Sequence, residues 1–445
     1  MRALILLLGI AGALGLTVPY PYVGVLLWSW FALQQPHREV YGFAQTLPLN
    51  LILALVTLGA WFFSRERKIP PAGFLFWMSV IFLLWMALNM FFAFDLATSW
   101  RFWDQTWKTF LLGFVVAAMS SSRIRIYALV WVVVISLFYY GVKGGLFTIL
   151  TGGQYHVFGP DGTQIADNNK LAVALLMALP LANYLRGQVA DRRISLLILA
   201  AIGLTAIAVV GSYSRGALIG LGALGVFMLL RMRNRLVYLA IAAVFVLFIV
   251  SFMPEGFFHR AATISESTDL SMDPGSGVDA SFQGRLYAWR VAFLYASDHF
   301  PFGAAFDGLT LPRIYNYYLP GRQAYVAHSI YFQVLGDQGF VGLAIYLIIL
   351  AAALFKCSRI MSVTKDAPER RWAYDLAVAI QASLFVFCVA GAALSMAYYD
   401  LFIINLAILL PLWRIARAAK PKGSRWASEH AALPQHAALP QHAAN

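Results

Sequence analysis

Ile194–Leu230 reads ISLLILAAIGLTAIAVVGSYSRGALIGLGALGVFMLL, 37 residues carrying one charge, Arg215. As a single helix rising about 1.5 Å per residue it would run about 55 Å, far beyond the roughly 30 Å hydrocarbon core of a bilayer. The chain must therefore turn, and Gly211-Ser212-Tyr213-Ser214-Arg215-Gly216 is the place where small and polar residues interrupt the apolar run. The stretch is two antiparallel membrane spans, with Arg215 held at the membrane edge by a very short turn.

The whole chain agrees with that reading. Of its 445 residues 61% are hydrophobic and only 12% charged, with a mean hydropathy of +0.71, which excludes a soluble domain of this length. Further apolar runs near 46–63, 72–93, 108–120, 126–150, 170–185, 236–253, 328–355, 373–394 and 398–414 have span-like length. Residues 3–33 are broken by Pro19 and Pro21, giving one interrupted span or two short helices. No small-residue cleavage signal precedes that break, so this segment is expected to stay as membrane helix. The predicted fold is all-α: a polytopic integral membrane protein of about twelve transmembrane helices. Cys357 and Cys388 offer neither a disulfide framework nor a thiolate metal site.

Basic residues set the orientation. Clusters at 65–68, 123–125, 186–193, 231–235, 356–371 and 414–425 fall at every second loop and hold 21 of the 33 Lys and Arg residues, so they are expected to face the cytoplasm. The net charge of +13 is then mostly a topology signal, and no nucleic-acid partner is implied. Loops 94–107, 151–169, 212–215, 254–327 and 395–399 face outward, which in a bacterium is the periplasm. The chain divides into N-terminal membrane helices (1–253), one large outward polar region with an amphipathic helix (254–327), C-terminal membrane helices (328–418) and a repetitive tail (419–445) expected to be disordered and cytoplasmic.

The informative charges are those that topology leaves unexplained. Arg215 presents a fork of donors at headgroup depth, which suits phosphate or pyrophosphate. Gly284 opens an amphipathic helix reaching to about Ser297, on which Arg285 and Trp289, four apart, share a face. Arg290 projects about 140° away, so Arg285 is the favoured ligand residue and Arg290 an accessory one. Arg322 and Tyr325 crowd the approach to the next span, where aromatic faces beside donors suit a sugar chain. His328 stands at the outer start of that span, where imidazole titrates near neutrality, and is the general-base candidate. Asp337, nine residues on, lies deeper and on the opposite helix face, so it is no same-helix partner. Asp167 reads as a helix N-cap.

No D-x-D pair, H-E-x-x-H, G-x-S-x-G, Walker A or CxxC motif occurs, so no metal or cofactor is expected, although Asp161, Asp167, Asp298 and Asp307 remain as scattered outward carboxylates.

Taken in order, Ser212-Tyr213-Ser214-Arg215-Gly216, Arg285 to Trp289, Pro301-Phe302-Gly303, Ala327-His328-Ser329 and Gly336-Asp337-Gln338-Gly339 resemble the O-antigen ligase and O-antigen polymerase superfamily. Gly24 to Trp28 and Pro36 to Ala44 further resemble its exosortase-associated O-glycosylation ligase subgroup. Ser329 departs from the Asn that many members carry after the histidine. The resemblance implies a GT-C-like, metal-independent, inverting glycosyltransferase of the bacterial inner membrane. Its donor would be a glycan on undecaprenyl pyrophosphate, and its acceptor the lipid A core or another glycan, reached from the periplasmic side among membrane lipids. It also implies that Arg215 and Arg285 hold the pyrophosphate and that His328 activates the acceptor hydroxyl. Ligase, polymerase, protein O-glycosylation ligase and lipid-linked sugar transporter are the competing readings. The last predicts ionisable residues deep inside spans, whereas most charges here sit at span ends.

Overall fold

Prolines, caps and short polar turns decide where the helices of this chain begin and end. The computed structural model describes residues 2–40, 42–66, 68–231 and 280–418, and all regular elements among them are helical. The interrupted N-terminal segment resolves into α1 (Arg2–Thr17) and α2 (Pro21–Leu33), with Pro21 in the first turn of α2, where its missing N–H costs nothing. There follow α3 (Leu49–Phe63), α4 (Phe74–Asn89), α5 (Leu96–Met119), α6 (Arg123–Leu150), α7 (Asn168–Gln188), α8 (Arg192–Gly211) and α9 (Arg215–Arg231). After the undescribed stretch come α10 (Ala280–Asp298), the short α11 (Pro312–Tyr318), α12 (Ile330–Thr364), α13 (Arg371–Gly391) and α14 (Asp400–Arg417). The run expected at 236–253, the first part of the outward polar region and the repetitive tail lie outside the described residues.

The apolar stretch that demanded a turn has one: α8 and α9 are separated by Ser212, Tyr213 and Ser214 alone. Boundaries differ from the sequence expectation at several helices; α12, for one, runs on to Thr364, past the expected 355. Helix α5 starts at Leu96, well before the apolar run at 108, because Asp95 accepts a hydrogen bond from the Ala97 N–H at 3.1 Å and starts a polar helical turn. Most of the expected 94–107 loop is therefore helix. Helix α10 already runs from Ala280 rather than Gly284.

Among the described residues five helices are long and apolar enough to cross a membrane: Phe74–Phe92, Arg123–Leu150, Arg192–Gly211, Ile330–Thr364 and Pro368–Gly391. Ala3–Thr17, Pro21–Leu33 and Leu49–Phe63 are shorter apolar helices. Large apolar side chains such as Leu84, Leu197, Ile219 and Phe355 remain exposed, the surface a lipid-solvated bundle needs. Inside, α6 packs on α8 and α7 on α13, with α7 almost wholly buried.

A second, smaller core lies at one end of the bundle. Ala288, Val291, Ala292 and Tyr295, at helical spacing on α10, bury against Ala304, Leu309, Ile314 and Tyr315. This layer is fastened to the bundle at an interruption in α12, where Gly339 adopts φ 70° and ψ −174°, a region open in practice only to glycine. A methyl group on Gly339 would sit 2.3 Å from the Pro301 carbonyl oxygen, and one on Gly303 2.5 Å from the Asp337 carbonyl. The turn at Pro301-Phe302-Gly303 thus lies backbone to backbone on the break. Ala304 N–H donates to the Gly336 carbonyl at 2.8 Å, and Asn89 Nδ2 donates to the Asp337 carbonyl at 2.5 Å.

Gly339→Ala adds both a forbidden conformation and a clash, so it is expected to lower stability by at least about 2 kcal/mol. Gly222→Ala, a helical position with nothing within 4 Å, should be neutral or stabilising by up to about 1 kcal/mol. Thermal unfolding of the detergent-solubilised protein measures both, and equal melting of Gly339→Ala and wild type contradicts the role assigned to this break.

Candidate functional site

Residues 151–169 and 212–215 meet at the end of the bundle that carries the second core. Val157 N–H donates to the Gly211 carbonyl at 3.1 Å, the Tyr213 hydroxyl donates to the Gly153 carbonyl, and His156 stacks on Tyr213 with ring centroids 4.8 Å apart. Asn168 Nδ2 donates to the Ser212 carbonyl at 2.7 Å, which sets the N-terminus of α7 beside that of α9. Both starts are capped. Asp167 accepts from the N–H groups of Asn169 and Lys170, at 2.9 and 3.2 Å, as expected of an N-cap. Ser214 Oγ accepts from Ala217 N–H at 3.2 Å. Half-buried Arg215 is the first residue of α9, so its guanidinium adds to the positive end of the helix dipole.

Helix α12 reaches the same place. A methyl group on Gly216 would lie 3.1 Å from the Ala393 Cβ, and one on Gly391 would lie 2.9 Å from Ile330 Cδ1. The starts of α9 and α12 therefore both abut the C-terminal end of α13. His328 does not open α12, which begins at Ile330 after the N-cap residue Ser329. It sits half-buried just before, with a left-handed φ of 43° that costs a non-glycine residue about 1–3 kcal/mol and so marks an over-determined position.

What determines it comes from α10. The Trp289 indole N–H donates to the Ala327 carbonyl at 2.6 Å, and its ring stacks on Phe332 at 4.8 Å. Trp289, expected to touch substrate, thus holds the Ala327 backbone and the Phe332 ring, one on either side of His328 in the chain. Arg285 is close enough that its charge acts on His328. Arg290 is exposed on another face, as the 140° separation predicts. Arg322 lies over the Tyr287 ring at 5.1 Å. Tyr325 packs its ring on Gly284, and its carbonyl accepts from the Tyr315 hydroxyl at 2.8 Å; both hold the polar cap together. Asp337 is engaged elsewhere, its carboxylate accepting from Asp307 N–H and the Tyr398 hydroxyl, each at 3.2 Å.

His328 holds its proton less tightly than the ordinary value of 6.5, chiefly because it is partly buried and next because of Arg285. Asp167 opposes this, and Lys170 adds to it. Lys170 also acts with Arg101 on Asp307, whose carboxyl is nonetheless pushed up by burial. Neither basic residue was singled out in the sequence, yet each is, like Arg215, a cation in the first turns of its helix. Among the described residues no three His, Cys, Asp or Glu side chains cluster closely enough to hold a metal ion.

The fold and this site define a multi-pass helical membrane protein with cations, two helix N-termini and one neutral imidazole gathered at one end. Residues 200–347 match the family model described as O-Antigen ligase, so that segment is similar to the O-antigen ligase superfamily. Residues 1–190 match a family of unknown function (DUF5935). No curated protein matches the chain. The matched segment contains Arg215, Arg285, Trp289 and His328.

With its pKa below 6.5, His328 is in its base form throughout the neutral range. The acidic limb of kcat/KM should therefore lie below pH 6.5, and the residual activity of Arg285→Gln should show that limb moved upward, because a cation has been removed. The unfolded chain binds this proton more tightly than the folded one, so His328 lowers stability as pH falls from 6.5 through its folded pKa. A pH–rate profile with a limb above 6.5, or unmoved by the Arg285 substitution, contradicts the assignment.

Proposed function

We propose that the protein is an O-antigen ligase of the bacterial inner membrane, with about twelve spans and its site open to the periplasm. It transfers a polysaccharide from undecaprenyl pyrophosphate to the lipid A core oligosaccharide. The observation that supports this reading is a partly buried His328 on which Arg285 and Lys170 both act, at the end of the bundle where the N-termini of α7 and α9, the latter carrying Arg215, lie side by side, since an anionic leaving group and a hydroxyl nucleophile need those two chemistries side by side. His328 Nδ1 or Nε2 takes the proton of an acceptor hydroxyl as its oxygen attacks the anomeric carbon. The bond from that carbon to the pyrophosphate oxygen breaks on the opposite face, and the electron pair leaves with pyrophosphate, stabilised by Arg215 and Arg285. One such displacement inverts the anomeric centre. Arg290 and Arg322 would meet the glycan or phosphate from outside, with Trp289 and Tyr325 shaping the wall.

A polymerase that extends one lipid-linked glycan with another uses the same geometry and is the second reading, favoured equally by the family match. Lipopolysaccharide from a deletion strain separates the two. Rough lipopolysaccharide with accumulated lipid-linked polymer identifies a ligase, and cores capped with single repeats identify a polymerase. The N-terminal likeness to the exosortase-associated subgroup keeps protein or other glycan acceptors as variants of the ligase reading.

His328→Ala should lower turnover by about 100- to 10,000-fold while leaving donor binding near normal. Arg215→Lys and Arg285→Lys keep the charge but lose the bidentate fork, and should fall by about 10- to 1,000-fold with weaker donor binding. Wild-type turnover by folded His328→Ala, or wild-type donor binding and turnover by both lysine variants, removes the corresponding role.

The arginines supply the leaving-group stabilisation that a divalent ion gives other transferases. Purified protein should therefore transfer a defined undecaprenyl-pyrophosphate glycan unchanged in excess EDTA. Loss of activity that Mg²⁺ or Mn²⁺ restores would turn attention to Asp161, Asp167, Asp298 and Asp307.

A further inference from the structure

Beside the site, a cavity of about 700 Å³ opens between α2, α3, α5 and the loops before α7 and α14, within the roughly 300–1,000 Å³ range of small-molecule sites. It meets the site at Lys170 and Gln333, and most of its wall comes from residues 1–190, the region matched to a family of unknown function.

Its lining is rich in polar groups that the described residues leave unsatisfied. His37 Nδ1, Asn50 Oδ1, Gln164 Oε1, Ser395 Oγ and the Tyr399 hydroxyl are buried atoms with no hydrogen-bond partner among the described residues, and all five side chains line this cavity. His37 and Tyr399 are themselves 7% and 2% exposed. They come from four separate segments and converge on one space, which a chance packing defect does not produce. All five can accept a hydrogen bond, depending on tautomer and rotor, so the complementary ligand is rich in hydroxyl donors.

Charge narrows the class. Lys108 is paired with Asp104 at 2.6 Å, and Asp400 accepts from the Thr109 hydroxyl at 2.6 Å. Arg38, Arg101 and Lys170 also line the cavity, and none has a carboxylate within ion-pair distance among the described residues. Trp28 and Trp107 also line the cavity, and indole rings are of the kind that stack on sugars. The floor includes Leu51 and Leu55, which are 46% and 61% exposed on the apolar surface, so a head group carried on a lipid can enter from the side.

We infer that this cavity binds an anionic saccharide: a hydroxyl-rich chain bearing carboxylate or phosphate, held by Arg38 and Arg101 and satisfied by Gln164, Asn50 and Tyr399. Its assignment as the glycan of a transfer substrate rests on the ligase reading; the binding itself does not. Either the donor's glycan or the acceptor's supplies this chemistry.

The test titrates full-length protein in detergent with trigalacturonate, with maltotriose as the neutral control, and follows tryptophan fluorescence. Saturable binding of trigalacturonate is expected, about tenfold tighter than maltotriose. The double variant Arg38→Gln/Arg101→Gln should weaken it about tenfold, and Gln164→Leu should weaken both sugars. Melting temperatures establish that the variants are folded, and Ala32→Phe, which only fills space, gives a second route to the same loss. No saturable binding by wild type, equal binding of the two sugars, or variants that bind like wild type would overturn the inference. If transfer is detectable, a raised KM for the donor alone or for the acceptor alone in Arg101→Gln names the source. If no transfer occurs at all, the ligase reading fails, while the binding result still decides the cavity.

Discussion

The contact between the turn at Pro301-Phe302-Gly303 and the interruption of α12 at Gly339 sets the position of everything else at the outward end. A straight 35-residue helix would run about 52 Å and carry the start of α12 wherever the bundle axis pointed. Instead Ile330–Gln338 is a separate piece whose direction is fixed by two glycine backbones lying against carbonyls. With α10 joined to the same turn by His299 and Phe300 alone, its C-terminal end is anchored at the break, and Trp289 ties its middle to Ala327. The Arg285–His328 neighbourhood follows from those two attachments.

The same logic explains why the site is built at helix starts. In a bilayer each span must satisfy its own backbone, and only its ends have free N–H groups. The starts of α7 and α9, capped by Asp167 and Ser214, bring backbone dipoles together at one end of the bundle. Arg215 and Lys170 are the first and third residues of their helices. A cation at a helix N-terminus opposes the dipole and is unfavourable on its own. Two such cations beside a histidine whose proton is already loosened by burial and Arg285 form an environment that an incoming anion relieves.

The span pattern was legible because the bilayer imposes one length on every crossing: the Ile194–Leu230 run exceeds it, and Ser212 to Ser214 is the turn found. Arg215 was singled out for the same reason, as a charge that topology does not explain, and it stands at the first position of α9. Helix ends were less so. Residues 96–107 are polar yet helical, since amphipathic turns outside the apolar run follow caps such as Asp95 rather than hydropathy. The break at Gly339 was invisible, because a glycine in an apolar run reads as ordinary helix until something packs where its Cβ would be. The neighbours of His328 were hidden too: Asp167 and Lys170 lie some 160 residues away in sequence, and no local spacing encodes that approach. Trp289 was noticed as a sugar-facing ring, but its indole hydrogen bond to Ala327, 38 residues on, is a tertiary fact.

Position relative to the polar cap also separates two kinds of aromatic residue that look alike in sequence. Tyr315 is fully buried and spends its hydroxyl on the Tyr325 carbonyl, and Tyr318 donates to Asp298 at 2.9 Å, so both act as struts within the cap. Tyr399 is as buried as Tyr315, yet its hydroxyl has no partner among the described residues. A strut with no load is costly to keep buried, whereas a hydroxyl that faces a cavity bordered by Arg101 and Lys170 acquires its partner from a ligand. This contrast, rather than aromatic content as such, distinguishes the wall of a saccharide site from the packing that supports it.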